Sequence, residues 1–421
     1  MPRFVVFSVA LLAVACAAFG QTSADSTVPA AQISPTYLSS TPAAIFPVAP
    51  HNDVTIEWWY LNANLHTSSG RHLALIGSFF RFGNASGMIA KDSKIKAQQS
   101  HYLIYAITDI DTKKHYTYSF GDRNTLELLQ QATTMALEAN PDNARLANLV
   151  SLLDQGQFPA PTRLIGRPCV VQSMPFSASY GPFNSVAAVA GAQNTFALRL
   201  GGAGNAMANL TFTGLKTPML VNGNGNTGLR VRSDMKYVSL TRDRVEGTVD
   251  TGSGAQQATG EGWFDHQWGN SWTTQSAGWD WWGVQLANGT DILFFRQLNL
   301  KTGKPFFPCA TFEDSSGYQV TTHNIQFKTD VSSIWKSPTT GVSYPLKWTV
   351  TFPDQHVTLN ISPYMSDQEM PVLANGGAIW EGACPVDSYV NGVSVPGVAY
   401  MELVGYNSPA IRASLSSPTS N

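Results

Sequence analysis

A chain of 421 residues in which 43% of side chains are hydrophobic and only 13% charged is too apolar for a disordered or tail-like protein. Its formal net charge of -2, without any Lys/Arg run, removes the electrostatic footprint that nucleic-acid binding needs. The length fits two domains or one large β domain, and 11 Trp, 14 Tyr and 21 Phe suffice for a sizeable core or an apolar pocket.

At the N-terminus, Arg3, the apolar run Phe4–Ala15 and the small residues up to Gly20 read as a secretory signal peptide over 1–20, cleaved before Gln21. A secreted or periplasmic protein is therefore expected. Anchoring as a lipoprotein at Cys16 is the weaker alternative. No segment approaches the ~20 consecutive apolar residues of a membrane helix, although an apolar partner leaves room for work near a membrane surface. Residues 21–50 read as a flexible Ser/Thr/Ala/Pro-rich leader.

From Thr55 onward short apolar or alternating runs, such as Thr55–Leu65, Leu73–Phe82, His101–Ile110, Thr195–Leu200 and Asp291–Leu300, are separated by Gly, Asn, Asp and Pro. That rhythm predicts an all-β protein of antiparallel sandwiches or barrels. One stretch, Arg123–Asp154, has leucines at helical spacing. Asn140-Pro141-Asp142 splits it into two helices, with Asp142 as the N-cap of the second. The pair either fills space or covers a cavity. After Tyr406 the Ser/Pro-rich tail is expected to fray. Once Cys16 leaves with the signal, Cys169, Cys309 and Cys384 allow one disulfide at most, with Cys309–Cys384 the expected pair. Without CxxC or a Cys/His cluster in the sequence, neither a metal nor another cofactor is expected.

The densest segment is Gly260–Gly283, which holds six of the eleven tryptophans together with Asp265, His266 and Asp280. Strand alternation puts Trp263, Asp265 and Gln267 on one face and Phe264, His266 and Trp268 on the other. Trp279 and Trp281 share a face, and Asp280 and Trp282 point the opposite way. Either these groups fill a core and satisfy turns, or an aromatic cavity holds an ionisable His and a carboxylate whose pKa burial raises. In Glu57-Trp58-Trp59-Tyr60, Glu57 is an inward charge expected to pair with Arg81 of the neighbouring FFRF strand. A third segment, Trp380-Glu381-Gly382-Ala383-Cys384 followed by Gly397–Tyr406, reads as a hairpin closing a C-terminal sheet. Four Asn-x-Ser/Thr sequons stand at Asn84, Asn209, Asn288 and Asn360.

These segments, in the order EWWYLNANL, FFRF, MKYVSLTRDRVEGTV, GEGWFDHQWG, GWDWWGVQLANGTDILFFR and WEGACPV…GVAYMELVGY, resemble the AttH/CrtC-type double-lipocalin family of carotenoid 1,2-hydratases and Diels–Alderase-like pericyclases. The resemblance spans about 50–406. It implies two consecutive lipocalin-like barrels, at 51–272 with a helical insertion at 123–155 and at 273–408, followed by a tail at 409–421. It also implies that an apolar isoprenoid or polyene is held between or within them and hydrated or cyclised; a non-catalytic lipid or pigment carrier is the other reading. The hydratase His-x-Trp pair matches His266 and Trp268. Where the hydratase pattern needs Tyr-x-Asp, this chain reads Ile292-Leu293-Phe294-Phe295-Arg296, so Asp280, Asp265, Glu57 or Glu381 would have to supply the proton. The expected catalytic residues are His266, Asp280 and Glu57. Trp58, Trp59, Trp263 and Trp268 are expected to line the substrate site from the first half of the chain. Trp279, Trp281, Trp282, Trp380 and Glu381 would line it from the second.

Overall fold

The computed structural model describes residues 45–83, 99–202, 204–227, 235–269, 276–372 and 377–415. The expected signal peptide with Cys16, residues 21–44 of the leader, the sequon at Asn84, Trp272 and the expected boundary at 272/273 lie outside the described residues.

The first half contributes β1 (Ile56–Thr67), β2 (His72–Phe82), β3 (Ser100–Asp109) and β4 (Lys114–Gly121), then helices α1 (Arg123–Ala139) and α2 (Ala144–Asp154). There follow β5 (Arg163–Leu164), β6 (Cys169–Ser173), β7 (Phe176–Tyr180), β8 (Ser185–Ala188), β9 (Thr195–Leu200) and β10 (Met207–Gly214). The half closes with β11 (Met219–Leu220), β12 (Lys236–Asp250) and β13 (Gln256–Gly269). They form one sheet in the order β5-β4-β3-β2-β1-β13-β12-β10-β9-β8-β7-β6, with β11 attached to β12. Among the described residues, only the β4–β5 pairing is parallel.

The second half supplies β14 (Ser276–Leu286), β15 (Asp291–Asn299), β16 (Pro305–Glu313), β17 (Gln319–Thr322) and β18 (Gln326–Thr329). A small hairpin of β19 (Ile334–Lys336) and β20 (Ser343–Pro345) precedes β21 (Trp348–Phe352), β22 (Val357–Ile361) and β23 (Glu369–Pro371). The long β24 (Ala378–Val390) and β25 (Val393–Val404) complete it. Here the order is β17-β16-β15-β14-β25-β24-β22-β21-β18, with β23 on β24.

Each sheet curls around a core of its own, so the chain is a pair of lipocalin-like barrels. In the first, β7 meets β2 across the interior: Tyr180 Oη donates to the Phe80 carbonyl at 2.9 Å and the Phe79 and Tyr180 rings meet edge-on at 5.2 Å. In the second, Phe327 of β18 packs against Trp282 of β14, ring centroids 5.8 Å apart. A third apolar cluster lies between the barrels and draws on both sheets, with Ile56, Tyr60, Ile76 and Trp263 against Trp281, Leu293, Phe295, Ile379 and Tyr400. Strand β1 is buried along nearly its whole length because both of its faces are covered. Trp59, Leu61, Ala63 and Leu65 enter the first core, while Ile56 and Tyr60 enter the layer between the barrels. A strand covered on both sides reads as a continuous apolar run rather than a clean alternation.

The inserted helices pack Leu126, Leu129 and Leu153 into the same inter-barrel cluster. Asp122 caps α1, accepting from Thr125 N at 2.8 Å. The second helix is capped one residue later than expected, by Asn143, whose side chain accepts from Arg145 N and Leu146 N. Two further expectations are corrected. Cys309 and Cys384 are both free thiols. The first faces the inter-barrel layer and the second the interior of the second barrel, so the sheet itself stands between them. The tail begins with a short helix, α3 (Pro409–Leu415), which buries Ile411 in the second core instead of fraying.

Candidate functional site

Strand alternation distributes the expected site residues over three places. The first is a nest at one end of the first barrel. Register pairs Glu57 with Arg81 on β2 and Trp59 with His266 on β13. Glu57 is fully buried. Its Oε1 lies 2.8 Å from His51 Nδ1 and 2.9 Å from His266 Nε2, and Arg81 donates to its Oε2. Burial would lift this carboxyl, but the hydrogen bonds from His266 and His51 and the charges of His266 and Arg81 outweigh it and hold its pKa at about 2. His266 stacks between Trp59 and Trp268, centroids 5.2 and 4.5 Å away, and its Nδ1 bonds the Pro47 carbonyl. Burial lowers the His266 pKa against the pull of Glu57. Both of its ring nitrogens face acceptors, and a neutral ring can donate to only one of them.

This nest clasps the segment that enters the barrel, so residues 45–50 of the leader, expected to be flexible, are instead tied to the first barrel because Phe46 buries its ring in that core. Phe46 lies 5.0 Å from Phe264 inside the core, Phe46 N donates to Asn194 Oδ1, Trp59 Nε1 donates to the Val48 carbonyl, and Arg81 donates to the His51 carbonyl. The donor atoms of His51, Glu57 and His266 lie within 4.8 Å of one another, as do those of His101, Asp122 and Cys169. Folding thus assembles two groups with metal-ligand chemistry that the sequence spacing did not reveal. In the first, the Arg81 guanidinium already occupies the free side of the carboxylate.

The second place is the interior of the second barrel. Asp280 points there, away from His266 and Glu57, bonding Arg296 Nε through Oδ2 and Tyr406 Oη through Oδ1, each at 2.7 Å. Burial raises its pKa and Arg296 and Tyr406 oppose the rise. Trp282 and Trp380 share this core, Trp282 stacked on Phe294 and Trp380 Nε1 bonded to the Ser366 carbonyl. The expected catalytic trio of His266, Glu57 and Asp280 is therefore split between two barrel interiors.

The third place is the layer between the barrels, and it gathers acids and aromatic rings that the first two do not. Asp265 accepts from Tyr237 Oη at 2.5 Å and from Trp263 Nε1 at 2.6 Å. Burial nevertheless lifts its pKa to about 7, against those hydrogen bonds. Across the layer, Glu381 of β24 and Glu402 of β25 stand directly opposite one another in register. Like charges placed so are costly. Burial, followed by the proximity of Glu402, pushes Glu381 well up, and burial raises Glu402 in turn. Both shifts favour the protonated carboxyl over the charged one. Tyr60 hydrogen-bonds Glu381 and Trp279 hydrogen-bonds Glu402. The Trp281 ring meets Trp263 edge-on at 5.9 Å and Tyr60 at 5.5 Å. Trp58, Trp279, Phe307 and Glu402 are only partly buried, so the layer reaches the surface along an aromatic rim.

Of the expected residues, Trp58, Trp263, Trp279, Trp281 and Glu381 meet here. Sequence reasoning missed Glu402, Tyr237, Tyr60 and Tyr400. A single acid inside the apolar run Val398–Val404 was the available signal for Glu402. Phe295, where the hydratase pattern needs an acid, stands in this layer opposite Trp281 in register. The missing acid of β15 is thus matched by acids on β13, β24 and β25.

With this geometry in view, a family model described as AttH-like matches residues 38–160 and 170–406. An AttH protein of Nitrosomonas europaea, NE1406, shares the fold with a TM-score of 0.64 at 22% identity, over 88% of this chain and 98% of its own. Kievitone hydratase from Nectria haematococca does so with a TM-score of 0.59 at 14% identity, over 85% and 91%. The dehydratase asqC of Emericella nidulans is 27% identical over 171 residues, 39% of this chain and 48% of that protein. The match thus spans about half the length of this curated relative.

Proposed function

The chain belongs to the AttH-like family, and from that premise and the inter-barrel geometry we propose that it adds water to, or removes water from, a small unsaturated molecule held between its two barrels. The observation that carries this reading is the trio of acids between the barrels, Asp265 and Glu381 buried beneath aromatic rings and Glu402 half-buried at their edge, all three with pKa values lifted. Relatives named a hydratase and a dehydratase support the same class of reaction.

Protonating an alkene carbon needs an acid that keeps its proton at neutral pH in a dry site. The Glu381–Glu402 pair meets that need. Its proton goes to one alkene carbon, and the neighbouring carbon becomes cationic under the faces of Trp281, Trp279 and Tyr60, which attract positive charge. Water adds to that carbon and its surplus proton passes to a carboxylate, Asp265 or the glutamate that gave the first. One C–H and one C–O bond form, one C=C π bond is lost, and the sum is addition of one water. Dehydration runs the same steps backward. In this reading Trp58 and Trp279 form the entrance, and His266 with Glu57 fixes the end of the first barrel. Phe46, Phe196 and Phe264 fill that barrel's interior, which favours a site between the barrels over a carrier site within one.

We also take the chain as exported, on the Arg3–Gly20 signal pattern, and N-terminal sequencing of protein from its own source tests that. Incubating the purified protein with linear isoprenoid and polyene extracts tests the reaction. A product 18 mass units heavier or lighter supports it. Unmodified ligand retained by the protein supports a carrier instead, and an isomer of unchanged mass a cyclase.

A further inference from the structure

The inter-barrel layer holds more hydrogen-bonding capacity than its own side chains use. Tyr400 and Glu381 are each 1% exposed, yet Tyr400 Oη and Glu381 Oε1 have no hydrogen-bond partner among the described residues. Both side chains face the same layer, and Glu381 is close enough to raise the Tyr400 pKa further after burial. The cross-strand neighbours of Tyr400 are Gly283 on β14 and Ala383 on β24, neither of which has a side-chain polar atom to offer. The nearby Tyr60 hydroxyl is already engaged, accepting from Asn62 Nδ2 at 3.2 Å and bonding Glu381. Native structures seldom leave two such atoms unmet at adjacent buried positions, because each forfeits a hydrogen bond it had in water.

An all-hydrocarbon polyene could not repair this, since it has nothing to accept from a phenol or to exchange a hydrogen bond with a carboxyl. A ligand oxygen could do both at once. We propose that the inter-barrel site selects an oxygenated unsaturated ligand, anchoring a hydroxyl or carbonyl oxygen between Tyr400 Oη and Glu381 Oε1 while the chain lies against Trp281 and Trp263. The proposal rests on the function proposed above and narrows its substrate class from polyenes in general to those with an oxygen near the reacting end.

Calorimetric titration with geraniol, and with 2,6-dimethylocta-2,6-diene, which lacks only the oxygen, tests it on the full-length protein. The wild type should bind geraniol about tenfold more tightly than the hydrocarbon, the discrimination one good buried hydrogen bond provides. Tyr400→Phe should erase most of that preference and leave hydrocarbon affinity unchanged. Because the variant removes an unmet hydroxyl, it should unfold at the same temperature as the wild type or higher, which separates a lost contact from a lost fold. Equal affinity for the two probes, or a geraniol preference that survives Tyr400→Phe, overturns the proposal. Geraniol bound with the Tyr400 signature but never changed in mass sinks the reaction and spares this inference. Hydration of the hydrocarbon without preference for the oxygen does the reverse.

Discussion

Asp265→Asn gives the account its sharpest quantitative exposure. The folded protein holds this proton until about pH 7, because burial disfavours the charged carboxylate more than Tyr237 and Trp263 stabilise it. An unfolded chain releases it near the ordinary value of 3.8. Between those pH values the folded state binds the extra proton, so wild-type stability falls as pH rises. About three pKa units correspond to about 4 kcal/mol, with no further change above pH 7. Asparagine does not titrate, so the variant escapes that loss. It also strands one of the two donors, since an amide offers a single acceptor oxygen to Tyr237 Oη and Trp263 Nε1, at a cost of about 1–3 kcal/mol. The variant should therefore be less stable than the wild type at pH 4 and more stable at pH 8. Urea unfolding of both proteins at half-unit steps across that range reads the crossing. A difference that stays constant with pH would refute the raised pKa and with it the reading of Asp265 as a poised group.

The other expectations concern the two barrel interiors. Glu57, held at about 2 against an ordinary value of 4.5, contributes stability that is complete above pH 4.5 and lost on acidification through about 2, worth about 3 kcal/mol. In Glu57→Gln that acid-labile component should vanish from unfolding curves between pH 5 and 2. Asp280→Asn leaves Arg296 without its charge partner in the second barrel and should cost about 3–5 kcal/mol in denaturant unfolding. Turnover by the folded fraction should stay within a few-fold of wild type. His266→Ala should raise amide exchange over residues 46–52 in mass-spectrometric hydrogen exchange, because the ring no longer ties Pro47 to Glu57. A loss of turnover of a hundredfold or more in a folded His266→Ala protein would return catalysis to the first barrel.

Much of the fold was legible because strand faces obey a period of two. The division of Trp263 and Asp265 from Phe264 and His266, and of Trp281 from Asp280 and Trp282, follows from alternation alone and holds in the structure. The Glu57–Arg81 pair was likewise readable from two adjacent motif strands joined by a short turn. What escaped depends on which distant strands become neighbours. Glu381 comes within electrostatic reach of Asp265 only because β13 turns its second face toward β24, a strand more than a hundred residues further along the chain. Tyr237 reaches Asp265 from β12, which is bulged between Leu240 and Asp243, so its pairing could not be counted from the turn. The expected Cys309–Cys384 bridge failed for a related reason: two cysteines on strands of one sheet can lie on opposite faces of it.

The central claim is that water is exchanged with the substrate by the carboxyls between the barrels. The most direct measurement is the mass of the product formed in water enriched in oxygen-18, by the wild type and by Glu381→Gln side by side. The wild type should place one oxygen-18 atom in each molecule of hydrated product. In the variant, loss of the general acid should slow product formation by a factor of roughly 100 to 10,000. A folded Glu381→Gln protein that incorporates oxygen-18 at the wild-type rate would contradict it.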